Sequence, residues 1–159
     1  MDDEVKIEEI KIEDYVKLKN IINQQQLYHY HLNGPYKERF LRINEVNFQE
    51  FMKKKTYSIT YVAIIKNEII GFTSAYINNH KEGFVEDLFI SEKYRNKSIG
   101  TVLFQKLLKW LQENNADTID VHVSVGNEDV MKFYEKNSFK MTGYTMKKVK
   151  EENHENTNK

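Results

Sequence analysis

The sequence predicts a mixed α/β fold built on a mostly antiparallel sheet with one parallel pair of strands. Three strand-like segments follow one another through short turns between residues 58 and 90, which is typical of an antiparallel meander. Helical periodicity then runs from Ile99 to Leu111 and is followed by another strand-like segment. A strand–helix–strand order of this kind pairs its two strands in parallel, so helices should flank a mixed sheet.

The N-terminal segments predict one strand and two helices. Alternating apolar residues over Val5–Ile12 predict an edge strand. A helix is expected from Glu13 to about Leu27, and Asn33-Gly34-Pro35 ends this part of the chain. Apolar residues on one face predict a second short helix over Asn47–Lys55. Its basic end, Lys53-Lys54-Lys55, is most simply solvated, and contact with a phosphate is the alternative.

The central and C-terminal segments complete the sheet. The meander strands are expected at Ser58–Ile65, Ile69–Ile77 and Phe84–Ile90. After the long helix we expect a strand at Thr118–Val125, a helix at Asn127–Asn137 and a last strand at Met141–Val149. One core over residues 1–149 suits this length, and the polar tail 150–159 is expected to be disordered.

The composition excludes several classes of function. Lys and Arg number 24 and Asp and Glu also 24, so no basic field indicates a nucleic-acid or anionic-membrane partner. The absence of cysteine excludes disulfides, thiolate nucleophiles and cysteine-ligated zinc. No apolar run reaches the ~20 residues that span a bilayer, and the acidic start is unlike a signal peptide. We therefore expect a soluble, cytoplasmic protein.

The five histidines do not predict a metal site. His29 and His31 are two residues apart, so on a helix they diverge by about 200° and cannot share a metal ion. The other three are isolated in the sequence.

The segment Tyr94–Thr101 lies between a predicted strand and the long helix. The start of a helix presents unpaired N–H groups and a partial positive charge, which together bind phosphate. Gly100 allows close approach of the backbone, and Arg95 and Lys97 add charge. The segment would suit a pyrophosphate, although an ordinary strand-to-helix turn with solvated basic residues has the same spacing.

Residues Phe84 to Phe139 resemble the GNAT family of N-acetyltransferases. Arg95 and Gly100 match the family's Arg/Gln-x-x-Gly-x-Gly/Ala signature after the fourth strand, and the segment from Asn127 resembles its Asn-x-x-Ala-x-x-Phe-Tyr-Glu-Lys-x-Gly-Phe helix. Ser98 and Ser138 replace family glycines and Val130 replaces an alanine. If those positions need positive φ, each serine costs roughly 1 kcal/mol.

This resemblance implies acetyl-CoA as the acyl donor and a set of residues that bind it. The pantetheine arm would lie along the main chain of the fourth strand, as an added strand would, and the diphosphate would lie at the helix start. Asn127 matches a cofactor-contacting asparagine of the family, although it could equally cap a helix. The residues that the resemblance assigns to the cofactor are Leu88, Phe89, Ile90, Arg95, Asn96, Lys97, Ser98, Ile99, Gly100, Thr101, Asn127 and Phe133. Many family members are dimers, so the resemblance also implies a homodimer.

Glu86 is the candidate general base. It lies nine residues before Arg95, and a Glu-Asp pair at this spacing resembles the diamine and polyamine acetyltransferases. Asp87 should point to the opposite face of the strand unless the strand bulges, and it is the candidate for binding a cationic acceptor. A solvated strand residue is the alternative reading of Glu86.

Tyr134 is the candidate general acid toward the departing thiolate. An unperturbed phenol has a pKa of ~10 and is protonated at neutral pH. A core aromatic beside Phe133 and Phe139 is the alternative. Tyr28 and Tyr36 belong to an aromatic-rich segment that could line the acceptor side of the cleft or simply pack a helix end.

Taken together, these residues predict an acetyl-CoA-dependent enzyme that acetylates a primary amine by direct attack in a ternary complex, with a polyamine-like acceptor favoured. The alternatives are a protein or aminoglycoside N-acetyltransferase and a non-catalytic acyl-CoA-binding module.

Overall fold

The computed structural model describes residues 3–32 and 34–148. These residues divide into two compact units, Met1–Glu128 and Asp129–Lys159, each described here by itself. The predicted disordered tail, 150–159, lies outside the described residues. A single domain over residues 1–149 stays a prediction.

The first unit contains a five-stranded sheet in the order β1-β2-β3-β4-β5. Neighbouring strands are antiparallel except β4 and β5, which are parallel. The predicted meander and the parallel crossover are therefore confirmed. The strands are β1 Lys6–Glu9, β2 Tyr57–Ile65, β3 Glu68–Ile77, β4 Glu82–Ile90 and β5 Thr118–Val121.

The helices fall close to the segments with apolar periodicity. The α-helices are α1 Lys19–His31, α2 Glu45–Lys53, α3 Ile99–Glu113 and α4 Met131–Lys136. The 3-10 helices are Ile12–Leu18, Lys37–Arg42, Glu92–Tyr94 and Glu128–Val130. The start of α2 is fixed by a capping box, in which the side chains of Asn44 and Asn47 each accept a hydrogen bond from the other's backbone N–H. This box places the helix start two residues before the predicted one.

Two packed layers cover the sheet. On one face, Phe48 of α2 stacks on Tyr15 with ring centres 5.0 Å apart and meets Phe72 of β3 edge-on. On the other face, α3 buries Leu103, Phe104, Leu107 and Leu111 completely. A Cβ built at Gly83 of β4 would lie 3.0 Å from the Leu111 side chain, so α3 packs closely against this strand.

Three predicted strands differ from the structure. The edge strand predicted over Val5–Ile12 is limited to Lys6–Glu9, because a 3-10 helix begins at Ile12. The predicted last strand, Met141–Val149, is wrong for its described part, because residues 141–148 form no strand and are all exposed. No described strand pairs with this segment, and its large side chains, Met141, Tyr144 and Met146, stay exposed. The strand predicted to reach Val125 ends at Val121, at the level where β4 changes register.

Among the residues that the structure describes, none of the helices is long and apolar enough to cross a membrane.

Candidate functional site

A β-bulge at Glu86 opens the sheet between β4 and β5. Ser74 of β3 lies opposite Asp87 and Ala75 lies opposite Val85, so Glu86 is the extra residue on β4. The parallel pairing of β4 with β5 ends at Val85 and Val121, immediately before this bulge. A bulge bends its strand and increases the local twist, which ends pairing. Residues 87–90 are therefore paired with β3 on one side and have no β5 partner on the other.

The same bulge presents two consecutive carboxyl groups on one face of the sheet. The Phe84 ring stacks on Tyr76, so Glu86, two residues further along β4, lies on that face. Ser74, two residues before Tyr76, donates a hydrogen bond of 2.9 Å to Asp87 Oδ2, which brings Asp87 to the same face. The strict alternation expected from the sequence is thus broken, as the prediction allowed for a bulged strand.

Asp87 is fixed between the sheet and α1. Gln25 Nε2 of α1 donates to Asp87 Oδ1 at 2.8 Å, and Ser74 holds the other oxygen. Burial raises the pKa of Asp87, and these two hydrogen bonds oppose the increase. This carboxyl is occupied by protein donors and ties α1 to the bulge.

Glu86 has a carboxyl that titrates near neutral pH. Its side chain is exposed to solvent, but surrounding protein atoms partly desolvate the carboxyl and raise its pKa to about 7. The neighbouring Asp87 adds to the increase, and the Lys55 ammonium opposes it. A group with this pKa can accept and release a proton at physiological pH, which suits a general base.

The segment after β4 forms a loop with unusual backbone angles. Asn96 and Ser98 both have positive φ, 59° and 60°. Ser98 is the N-cap residue of α3, but its side chain makes no capping hydrogen bond. The N–H groups of the first turn of α3 therefore have no side-chain cap, and they are free to bind an anion. A Cβ at Gly100 would meet only Ile90, at an ordinary 3.6 Å.

Glycine at Ser98 or Ser138 is expected to stabilise the protein. Both serines have positive φ, 60° and 69°, as the missing family glycines implied. Glycine relieves the strain of the left-handed backbone, and this gain outweighs the entropy that glycine adds to the unfolded chain. Each substitution should therefore raise the free energy of unfolding by about 0.5–1 kcal/mol. Thermal unfolding measures the effect.

Ser124→Gly is the matched control, since Ser124 is not among the described residues with positive φ. It should lower stability by a few tenths of a kcal/mol to about 1 kcal/mol through the entropy effect alone. Equal losses in all three variants would contradict the strain at Ser98 and Ser138.

Arg95 lies against the end of β4. Its Nε donates to the Ile90 carbonyl at 2.9 Å. Its guanidinium lies over the rings of Tyr28 and Phe89, 4.5 and 5.3 Å from their centres. Lys97 is exposed, with Nζ 5.7 Å from the centre of the Tyr94 ring. Of the two predicted basic residues, Arg95 is fixed by the protein and Lys97 is at the surface.

Tyr28 joins two of the predicted cofactor residues. Its ring lies beneath Arg95, and its hydroxyl donates to Asn127 Oδ1 at 3.1 Å. Tyr36, with φ of 62°, precedes the 3-10 helix Lys37–Arg42. The structure thus places Tyr28 among the residues predicted for the cofactor, and its predicted contact with an acceptor stays a prediction, as does that of Tyr36.

An aromatic surface beside Glu86 was not predicted from the sequence. The Tyr76 ring stacks on Phe84 at 5.0 Å and meets Phe51 of α2 edge-on at 5.8 Å. We call Phe51, Tyr76 and Phe84 the aromatic wall. The available signal was the expected hairpin of β3 and β4, which makes Tyr76 and Phe84 direct neighbours once its register is known.

Tyr134 belongs to α4 in the second unit. Its ring contacts Phe133 at 5.5 Å and Phe139 at 5.8 Å. These contacts agree with the packing role left open by the sequence, and the catalytic role stays a prediction, as does the cofactor role of Phe133.

The described residues contain no group of three or more His, Asp or Glu side chains able to hold a metal ion. His29 stacks on Phe40, and burial with the nearby Arg39 lowers its pKa. Both effects favour the neutral form of this imidazole.

The fold and the site define an α/β domain in which an open strand edge leads to an uncapped helix start. A family model described as the acetyltransferase (GNAT) family matches residues 19–139. The chain belongs to this family, so the predicted family and fold class are confirmed.

Known relatives act on different molecules. An N-alpha-acetyltransferase of Saccharolobus solfataricus is 31% identical over 99 residues, covering 54% of this chain and 59% of the relative. Streptothricin acetyltransferase A of Bacillus subtilis is 27% identical over 84 residues, covering 50% and 46%. The chain thus spans about half the length of these relatives.

A solved structure of the same fold is the PaiA N-acetyltransferase of Thermoplasma acidophilum, determined in complex with coenzyme A. Its TM-score is 0.74 at 20% identity, over 89% of this chain and 93% of that one. This likeness concerns the fold.

Proposed function

We propose that the protein transfers an acetyl group from acetyl-CoA to a primary amine by direct attack in a ternary complex. The bulge at Glu86 is the observation that carries this proposal. It places a carboxyl with a pKa of about 7 where β4 loses its β5 partner, next to the strand edge that would hold a thioester.

The residues after the bulge fit the donor. Backbone groups of Leu88, Phe89 and Ile90 lie on the stretch of β4 without a β5 partner, where a pantetheine amide chain could pair as an added strand. The uncapped start of α3 would bind the diphosphate through backbone N–H groups of Ile99, Gly100 and Thr101. Acetyl-CoA would supply an acetyl group activated as a thioester.

The side chains would then manage the protons. Glu86 accepts a proton from the acceptor ammonium, directly or through a water, and leaves a neutral nitrogen as the nucleophile. Backbone N–H groups on the part of β4 without a β5 partner would hold the thioester oxygen and stabilise the negative charge that develops on it. Tyr134 would give its proton to the departing thiolate as the general acid.

A small polyamine-like molecule is the favoured acceptor. The pair Glu86-Asp87 resembles the polyamine acetyltransferases, and the exposed Glu86 carboxyl attracts a cation when it is ionised. A protein N-terminus and an aminoglycoside are the alternatives. Assaying thiol release from acetyl-CoA with a panel of diamines, aminoglycosides and N-terminal peptides decides among them.

The second candidate is a non-catalytic acyl-CoA-binding module. It is favoured by Ser98 and Ser138, which take positive φ where the family has glycine and strain both motifs. Such a module would show a CoA-dependent rise in melting temperature and no thiol release with any amine. A catalytic protein would show the rise in melting temperature and would also release thiol with its amine acceptor.

Tyr134→Phe is expected to lower kcat by about 10²-fold, at the lower end of general acid contributions, because the thiolate would leave without a proton donor. The affinity for CoA should stay unchanged, which calorimetry measures. Tyr144→Phe is the matched control, since Tyr144 is an exposed phenol of the same unit. Unchanged kcat in Tyr134→Phe would assign this ring to packing alone.

A further inference from the structure

Lys55 places its ammonium on the aromatic wall beside Glu86. Its Nζ lies 4.2 Å from the centre of the Phe51 ring and 4.2 Å from the centre of the Tyr76 ring. Both distances are well inside the ~6 Å over which a ring attracts a cation. The wall is therefore a cation-binding surface that is already occupied by a residue of the protein.

This position distinguishes Lys55 from its neighbours. Lys53 and Lys54 are exposed, and Lys53 pairs with Glu50 on the helix surface, whereas Lys55 is half-buried. The prediction of a solvated helix end therefore holds for Lys53 and Lys54, whereas Lys55 packs its ammonium on two aromatic rings.

Glu86 interacts electrostatically with both Lys55 and Tyr76. The Lys55 ammonium lowers the pKa of Glu86. The Glu86 carboxylate adds to the effect of burial in raising the pKa of Tyr76. The carboxyl and the wall therefore face the same cation.

We propose that the aromatic wall of Phe51, Tyr76 and Phe84 is the subsite for a second ammonium of the acceptor, and that Lys55 occupies it in the free protein. This inference rests on the proposed function, and it gives the enzyme a preference for acceptors that carry two or more positive charges over monoamines.

The preference for acceptors with two positive charges follows from the reaction. The nitrogen that attacks the thioester must be neutral, so it has lost its proton to Glu86 and gains little from a cation–π contact. Only a further ammonium on the same molecule stays charged throughout and can remain on the rings. A monoamine leaves the wall to Lys55.

Lys55 then acts as a tethered competitor. A group held by its own chain reaches an effective concentration in the millimolar range, so an acceptor must displace it to bind. Removing the ammonium while keeping the length of the side chain, as in Lys55→Met, frees the wall.

The test compares 1,4-diaminobutane with butylamine in the thiol-release assay with acetyl-CoA. Loss of the Lys55 ammonium raises the pKa of Glu86, so both proteins are assayed well above pH 7, where Glu86 is ionised. Under these conditions, Lys55→Met is expected to lower the KM for 1,4-diaminobutane about 5- to 10-fold, with kcat changed less than twofold and the KM for butylamine unchanged. Lys54→Met, which removes the same charge from an exposed neighbour, should change neither KM. Adding Phe51→Leu to Lys55→Met should reverse the gain for the diamine.

A KM for 1,4-diaminobutane that is unchanged or higher in Lys55→Met, or an equal fall for butylamine, would overturn the inference. Calorimetric titration of 1,4-diaminobutane into the CoA-saturated variants measures the same preference without turnover. If CoA itself produces no heat, the proposed function fails. The diamine titration of the unliganded protein then decides the cation subsite separately.

Discussion

Replacing Glu86 with glutamine is expected to lower kcat/KM for an amine acceptor by roughly 10²- to 10⁴-fold, the range of a general base. The amide keeps the size of the side chain but cannot accept the ammonium proton. Calorimetry should find CoA binding unchanged, because Glu86 lies outside the loop that would hold the diphosphate. Glu8→Gln, an exposed carboxyl on the edge strand β1, is the control and should keep full activity.

The pH dependence gives a second measure of the same group. Glu86 is active when ionised, and its pKa of about 7 predicts that kcat/KM falls about tenfold per pH unit below that value. Glu86→Gln should lack this acidic limb. A limb that persists near pH 7 in the variant would assign the proton transfer to another residue.

The raised pKa of Glu86 also makes the stability of the protein depend on pH. The pKa of Glu86 is 4.5 as its ordinary value and about 7 in the folded protein, so the folded state holds the proton more tightly. The stability that the folded protein gains from holding this proton is fully present below pH 4.5 and is lost as the pH rises through about 7. Glu86→Gln should therefore unfold at a higher temperature than the parent at pH 8, while the difference shrinks toward pH 4.5.

A glutamate at Gly100 is expected to weaken CoA binding by on the order of 100-fold. The new carboxylate would stand at the start of α3, where the diphosphate would bind, and two like charges about 4 Å apart repel by about 1–4 kcal/mol. Gly100→Ala is the control. A Cβ has 3.6 Å of clearance there, so the alanine variant should fold and bind nearly as the parent does.

Calorimetry with CoA measures both variants. Circular dichroism must first show that Gly100→Glu is folded. A folded Gly100→Glu protein with the parent's affinity would show that the diphosphate binds elsewhere, and the donor-binding part of the proposal would be wrong.

Local patterns predicted the sheet because its strands are neighbours in sequence. The alternation over residues 58–90 and the short turns leave few arrangements other than a meander, and the helix from Ile99 requires the parallel crossover. Residues 141–148 show the limit of this reasoning, since a strand needs a partner and the pattern names none.

The geometry of the candidate site depended on register, which the sequence does not state. Alternation assigned Glu86 and Asp87 to opposite faces, and only the pairing of Ser74 with Asp87 reveals the bulge that brings them together. Lys55 could not be predicted for a similar reason. Its partners Phe51 and Tyr76 come from a helix and a distant strand.

The contacts of Tyr28 have a consequence for how the protein could be redesigned. One phenol on α1 braces the arginine at the end of β4 and the asparagine after Gly126. Replacing Tyr28 to change the acceptor preference would remove its contacts with both Arg95 and Asn127. Substitutions intended to change the acceptor are better made at side chains that do not connect two separate segments of the chain.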